Sequence, residues 1–152
     1  SVLGLVSFPY CSAYNATKFA MEAFASSLRF ELYNTNIKVS LIEPGPIVSN
    51  FNLNVLKELK KINIKKSLHK KKYYQFVKYF KRNNNKFTLP ALSVAKKVYK
   101  ALKSNNPKSQ YYVTLPTYIL SYSRILPNPI FEKFLHLLDK ERHKNWFKIS
   151  II

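Results

Sequence analysis

Residues 12–49 read SAYNATKFAMEAFASSLRFELYNTNIKVSLIEPGPIVS, and the change of period within them decides the fold. Phe19, Ala20, Ala23, Phe24, Leu28 and Leu32 recur at spacings of three and four, which keeps them to one side of a helix. That helix is predicted from Ser12 to about Tyr33, with Asn34 and Asn36 stopping it. Ile37-Lys38-Val39-Ser40-Leu41-Ile42 then alternates and ends apolar, as a partly to fully buried strand does. Pro44-Gly45-Pro46 ends that strand abruptly.

Upstream, residues 1–10 hold Gly4 and Pro9 and read as a loop. Downstream, residues 54–83 are basic, with periodic Val55, Leu56, Leu59, Ile62, Leu68, Phe76 and Phe80. They predict two amphipathic helices with a break near Asn63. Asn83-Asn84-Asn85 is a turn. Pro90 opens a helix carrying Leu92, Ala95, Val98, Tyr99 and Leu102, which Ser104 to Pro107 closes. Gln110 to Thr114 reads as a short strand, and helices follow over 117–126 and 129–142. Pro129 suits a helix start because its fixed φ is already helical. Strands separated by helices imply an α/β fold, a parallel sheet with crossover helices. Two strands do not make a stable sheet of that kind, so the pattern looks like the second half of a doubly wound domain.

Composition narrows the function classes. Of 152 residues, 47% are hydrophobic, so disorder is not expected. There are two glycines, Gly4 and Gly45, where average usage would give about ten. A Gly-rich phosphate loop is therefore excluded within this stretch. The chain begins at Ser1 without Met, and is read as less than a complete gene product.

The net charge of +19 is unevenly spread. Residues 1–50 balance three basic against three acidic residues; residues 51–86 hold twelve basic residues and only Glu58; residues 87–152 hold eleven against three. Lys outnumbers Arg 22 to 4. Base-reading interfaces favour Arg, whose fork fits guanine and phosphate, so nucleic acid is not expected as a partner. The basic segment is either a solvated face produced by Lys-biased coding or a surface for an anionic membrane. Cys11 is the sole cysteine, which excludes an internal disulfide and suits a reducing cytoplasm. No signal peptide is read at the N-terminus. The apolar stretch from Tyr111 to Phe131 is broken by Pro116, Arg124, Pro127 and Pro129, so no spanning helix is expected. His69, His136 and His143 lack metal-ligand spacing with Cys or Asp, and no metal site is expected.

The segment that carries chemistry is Tyr14-Asn15-Ala16-Thr17-Lys18. Tyr and Lys four apart share one helix face. A free phenol is a poor acid or base at neutral pH, and a neighbouring ammonium stabilises its ionised form. Tyr14 could then exchange a proton with a substrate oxygen. The spacing alone is weak, since it occurs by chance in most Lys-rich chains. Its surroundings are more specific: Ser1 lies thirteen residues earlier, and a strand ending in Glu43-Pro44-Gly45-Pro46-Ile47-Val48-Ser49 follows the helix.

This set resembles the short-chain dehydrogenase/reductase family, closely over Ser1 to Ser49 and more loosely to about Leu138. The resemblance implies the C-terminal half of a doubly wound Rossmann-type domain, from the catalytic Ser onward, and hydride transfer between NAD or NADP and a carbonyl or secondary alcohol. Ser1 would hold the substrate oxygen, Tyr14 would be the general acid/base, and Lys18 would assist it and bind the nicotinamide ribose. Pro44 and Gly45 would let the backbone approach the nicotinamide, while the Ile47 backbone and Ser49 would bind its carboxamide. Ser49 and Thr17 stand where Thr and Ser are commoner. The family's Gly-rich turn and tetrad Asn precede the catalytic Ser, so these 152 residues alone are expected to be inactive.

The resemblance divides residues 1–152 into a catalytic and nicotinamide-site segment (1–49), a basic helical substrate lid (50–86) and a last helix-strand unit with C-terminal helices (87–152). The lid's aromatics and the late apolar helices suit a hydrophobic substrate. A homo-oligomer is also implied, through the Tyr14 helix, where Ala20, Ala23 and Ser27 permit close contact. Two alternatives stand beside this reading. One is an inactive truncated remnant. The other is a basic module that keeps the fold while binding the inner membrane surface.

Overall fold

The structure is a computed structural model that describes residues 1–8, 11–82, 87–125, 127 and 129–133. A 3-10 turn at Val2–Gly4 leads into helix α1 (Ser12–Glu31), strand β1 (Leu41–Glu43), helices α2 (Phe51–Leu59), α3 (Lys70–Arg82) and α4 (Ala91–Lys103), strand β2 (Gln110–Tyr112) and helix α5 (Leu115–Ser121). A 3-10 turn at Tyr122–Ile125 follows α5, and residues 129–133 are helical. The turn expected at 83–85, Pro9, and the part of the last helix beyond 133 lie outside the described residues.

β1 and β2 pair in parallel, with Leu41 opposite Gln110, Ile42 opposite Tyr111 and Glu43 opposite Tyr112. The parallel direction demands a long crossover, which α2, α3 and α4 supply. Beyond the Pro-Gly turn, Ile47 makes an isolated parallel bridge to a different segment, at Leu89 just before α4. The architecture is mixed α/β with parallel strands and crossover helices, consistent with part of a Rossmann-type domain.

Both strands are shorter than their periodicity suggested. Residues 37–40 give polar groups to partners other than a ladder: the Val39 carbonyl accepts from Arg29 Nε at 3.0 Å, and Ser40 Oγ donates to the Lys108 carbonyl at 2.7 Å. β2 stops at Tyr112 because Thr114 is already the N-cap of α5. The helix expected over 117–126 starts earlier, with Pro116 in its first turn, and tightens to 3-10 after Ser121. There Ser121 Oγ donates to the Tyr118 carbonyl at 2.7 Å, competing with the backbone bond that would continue an α-helix. The break near Asn63 widens to residues 60–69 and contains a 3-10 turn, Ile64–Lys66.

The inward face of α1 differs most from expectation. Phe19, Ala20, Ala23 and Phe24 are exposed, Phe24 to 61%. The face toward the body carries Asn15, Lys18, Glu22, Ala25 and Arg29, also at spacings of three and four. These side chains serve groups the body presents to the helix. Asn15 Nδ2 donates to the Phe8 carbonyl at 2.9 Å, Arg29 donates to the Val39 and Ser109 carbonyls, and Glu22 accepts from Gln110. The buried core is thin. Leu5, Val6 and Leu120 form its centre, with Val2, Phe8, Tyr112 and Phe131 packed around them.

Candidate active site

The site grows from the end of β1. Glu43, its last residue, is fully buried. The next carbonyl, of Pro44, accepts from Val2 N–H at 3.0 Å, which sets Ser1 beside the Pro-Gly turn. The Ser1 backbone nitrogen lies 3.1 Å from Glu43 Oε2. Ser1 Oγ accepts from Leu3 N–H at 3.3 Å and caps the first 3-10 turn. A hydroxyl that accepts still has its own proton to donate. Gly4 lets this turn meet α1 closely, since a Cβ there would stand 2.9 Å from the Lys18 carbonyl oxygen.

Tyr14 and Lys18 occupy the first two turns of α1 and are both half-buried. Lys18 Nζ sits 5.2 Å from the centre of the Tyr14 ring, a cation–π approach that keeps charge and phenol together. Phe51 of α2 also lies beside that ring, at 5.6 Å between centroids. Thr17 Oγ1 donates to the Tyr14 carbonyl at 2.7 Å.

The Pro-Gly loop is fixed at several points. Val113 N–H reaches the Glu43 carbonyl at 3.1 Å, Leu89 N–H reaches the Pro46 carbonyl at 3.1 Å, and Val48 N–H reaches the Leu89 carbonyl at 2.9 Å. Bonds from residues 46 and 48 to one neighbour turn the N–H and C=O of Ile47 to the opposite edge, because successive residues of extended chain alternate. Among the described residues those two groups take no protein partner. Ser49 is exposed, and its Oγ accepts from Phe51 N–H at 3.4 Å.

Gly45 has a reason that sequence alone did not show. A Cβ there would fall onto Thr114 Oγ1 and lie 2.8 Å from Thr117 Oγ1. Both threonines are fully buried and hydrogen-bonded to each other at 3.0 Å. The turn therefore lies flat against the start of α5. An open cleft of about 570 Å³ borders it, lined by Val48, Ser49, Asn50, Asn52, Leu53, Leu56 and Lys81.

Ser1, Glu43 and the Pro-Gly turn thus meet at one end of the sheet, while Tyr14 and Lys18 stand together on the helix beside it. The sequence did not single out the polar cluster beneath. Gln110 Nε2 donates to Glu22 at 2.9 Å and to Glu43 at 3.4 Å, and Gln110 Oε1 accepts from Tyr112 at 2.9 Å. A glutamate ending an apolar strand was the available signal. Among the described residues no group of His, Cys, Asp and Glu is placed to hold a metal.

A family model described as short chain dehydrogenase matches residues 1–60, the span that contains Ser1, Tyr14, Lys18 and the whole Pro-Gly loop. The chain belongs to the short-chain dehydrogenase/reductase family. The uncharacterized oxidoreductase YbbO of Escherichia coli (strain K12) is 38% identical over 136 residues, covering 89% of this chain and 45% of that protein. The probable short-chain type dehydrogenase/reductase VdlC of Helicobacter pylori is 32% identical over 154 residues, covering 95% and 52%. Retinol dehydrogenase 8 of Bos taurus is 44% identical over 59 residues, covering 39% and 19%. The chain spans about half the length of the first two dehydrogenase relatives.

That family generally uses a nicotinamide dinucleotide, and the loop here fits the nicotinamide end. A carboxamide offers one acceptor and one donor group. The unpaired N–H and C=O of Ile47 and the hydroxyl of Ser49 are complementary to it.

Proposed function

We propose that this chain is the catalytic and nicotinamide-binding part of an NAD(P)-dependent oxidoreductase acting on a carbonyl or secondary alcohol. The observation that carries the reading is the convergence of Ser1 on the Pro-Gly turn through the Val2–Pro44 hydrogen bond, beside a helix that pairs Tyr14 with Lys18. When bound, the dinucleotide supplies or takes up the hydride. Proton handling and the nicotinamide end fall to this chain's residues. Ser1 donates a hydrogen bond from its hydroxyl to the substrate oxygen and stabilises charge developing there, keeping its own proton. Tyr14 gives a proton to that oxygen in reduction and takes one in oxidation. Lys18 holds positive charge beside the phenol and reaches for the ribose hydroxyls. Ile47 and Ser49 fix the carboxamide.

The lid reading assigns α2 and α3 to covering the substrate, with Leu53 and Leu56 supplying apolar surface to the cleft. A second copy packed on α1 belongs to the same reading, since Ala20, Ala23 and Ser27 are exposed there. No residue in this stretch forms a Gly-rich phosphate loop, so the 152 residues alone should bind dinucleotide weakly. The test uses the intact protein with reduced nicotinamide cofactor and a panel of aldehydes and ketones, apolar ones included. Carbonyl-dependent loss of the reduced-nicotinamide absorbance is expected. Absence of cofactor oxidation with every carbonyl and with either cofactor, by folded protein, would overturn the proposal.

A further inference from the structure

The α2–α3 hairpin has a root and a tip of different character. At the root, Lys81 returns to the cleft beside Ser49 and Leu53. The two helices pack on each other, and the turn joining them forms the other end. Residues 60–72 of that end hold seven lysines, no arginine, no acidic residue and no aromatic residue. Lys61 is held by Glu58 at 2.7 Å. In the middle of this cationic run Leu68 is 99% exposed, and Ile62 is 55% exposed. Scattered exposed aliphatics are ordinary on protein surfaces. A fully exposed leucine flanked by Lys65 and Lys66 on one side and Lys70 and Lys71 on the other is a different pattern, a cationic tip with an apolar point.

Charge and apolarity together discriminate among polyanions. A nucleic-acid duplex would satisfy the lysines and leave Leu68 and Ile62 in water. A single strand would want aromatic platforms for its bases; residues 60–72 hold no Phe, Tyr or Trp, although Tyr73 and exposed Tyr74 follow on α3, and stacking would leave Leu68 and Ile62 unused. Lysines are point charges on flexible apolar stems, suited to mobile headgroups while the stems lie along apolar surface. Clusters of this size are drawn to anionic lipid. Among the described residues no helix is long and apolar enough to cross a membrane.

We propose that residues 60–72 are a docking surface for an anionic lipid bilayer. Leu68 and Ile62 enter the boundary between headgroups and acyl chains, and the lysines around them meet the lipid anions. This surface lies apart from Ser1, Tyr14 and Lys18, so it stands or falls separately from the catalytic reading.

The experiment is flotation of the intact protein with phosphatidylcholine vesicles, with and without phosphatidylserine. Binding should require phosphatidylserine and weaken with salt. Leu68→Ser should weaken it by about tenfold with circular dichroism unchanged, because the side chain touches little in the folded protein. Lys65→Glu with Lys66→Glu should abolish the preference for phosphatidylserine. Equal binding to both vesicles, or none to either, overturns the proposal. So does tight binding to duplex DNA that strips the chain from vesicles and ignores Leu68→Ser, which would assign the tip to nucleic acid.

Discussion

Gly45 lacks a side chain because two buried threonine hydroxyls occupy the space one would fill. Gly45→Ala should lower stability by about 1–3 kcal/mol, the usual cost of overpacking a tight site. Chemical denaturation measures it, and Gly45→Ala with Thr114→Ala should recover part of the loss. An unchanged midpoint for Gly45→Ala would contradict the packing. The glycine was legible as a turn residue, but its partners were not. Thr114 and Thr117 lie far along the chain, and threonines at a helix start usually serve as caps. Cys11 allows a second test. Burial pushes its thiol pKa above the ordinary value, and the thiolate is the nucleophile. At neutral pH iodoacetamide should therefore alkylate the native chain more slowly than the denatured chain. The native rate should climb only at pH values above those at which a free thiol ionises. Equal rates at neutral pH would contradict that burial.

α1 shows why periodicity located the element and missed its orientation. Apolar spacing marked a helix, and the structure has one from Ser12 to Glu31. The inward face, however, is chosen by unsatisfied backbone and carboxamide groups of the body, which Asn15, Arg29 and Glu22 serve. Hydrophobic counting gives no weight to that work. Gln110 is the joint between elements, since it bonds Glu22 of α1, Glu43 of β1 and Tyr112 of its own strand. Gln110→Ala removes the shared donor and leaves buried Glu43 with one fewer partner. A loss of about 1–3 kcal/mol is expected for a partly buried network broken at one member, read as a shift in thermal or denaturant midpoint. A shift no larger than that of an exposed substitution would show that the cluster is incidental. The strands were legible in position and direction. Their lengths were not, because Arg29 and Ser40 take up polar groups that an alternating pattern assigns to a ladder.

At the scale of the molecule, the described residues pair a thin core with broad apolar exposure on α1 and α4, where Phe24, Phe30, Leu92 and Leu102 are all open to solvent. A chain spanning about half the length of its relatives has room for partners on those faces. The catalytic reading does not depend on what covers them, because Ser1, Tyr14, Lys18 and the Pro-Gly loop are held by contacts among the described residues, Leu120 and Phe131 included. Its central claim is the proton-transfer role of Tyr14. The most direct measurement is turnover of the intact protein carrying Tyr14→Phe, with circular dichroism and cofactor binding followed in parallel. Phenylalanine keeps the ring packed against Phe51 and removes only the hydroxyl. Turnover should fall by roughly a hundred- to ten-thousand-fold while fold and cofactor binding persist. A Tyr14→Phe protein that retains most of its turnover would contradict the account.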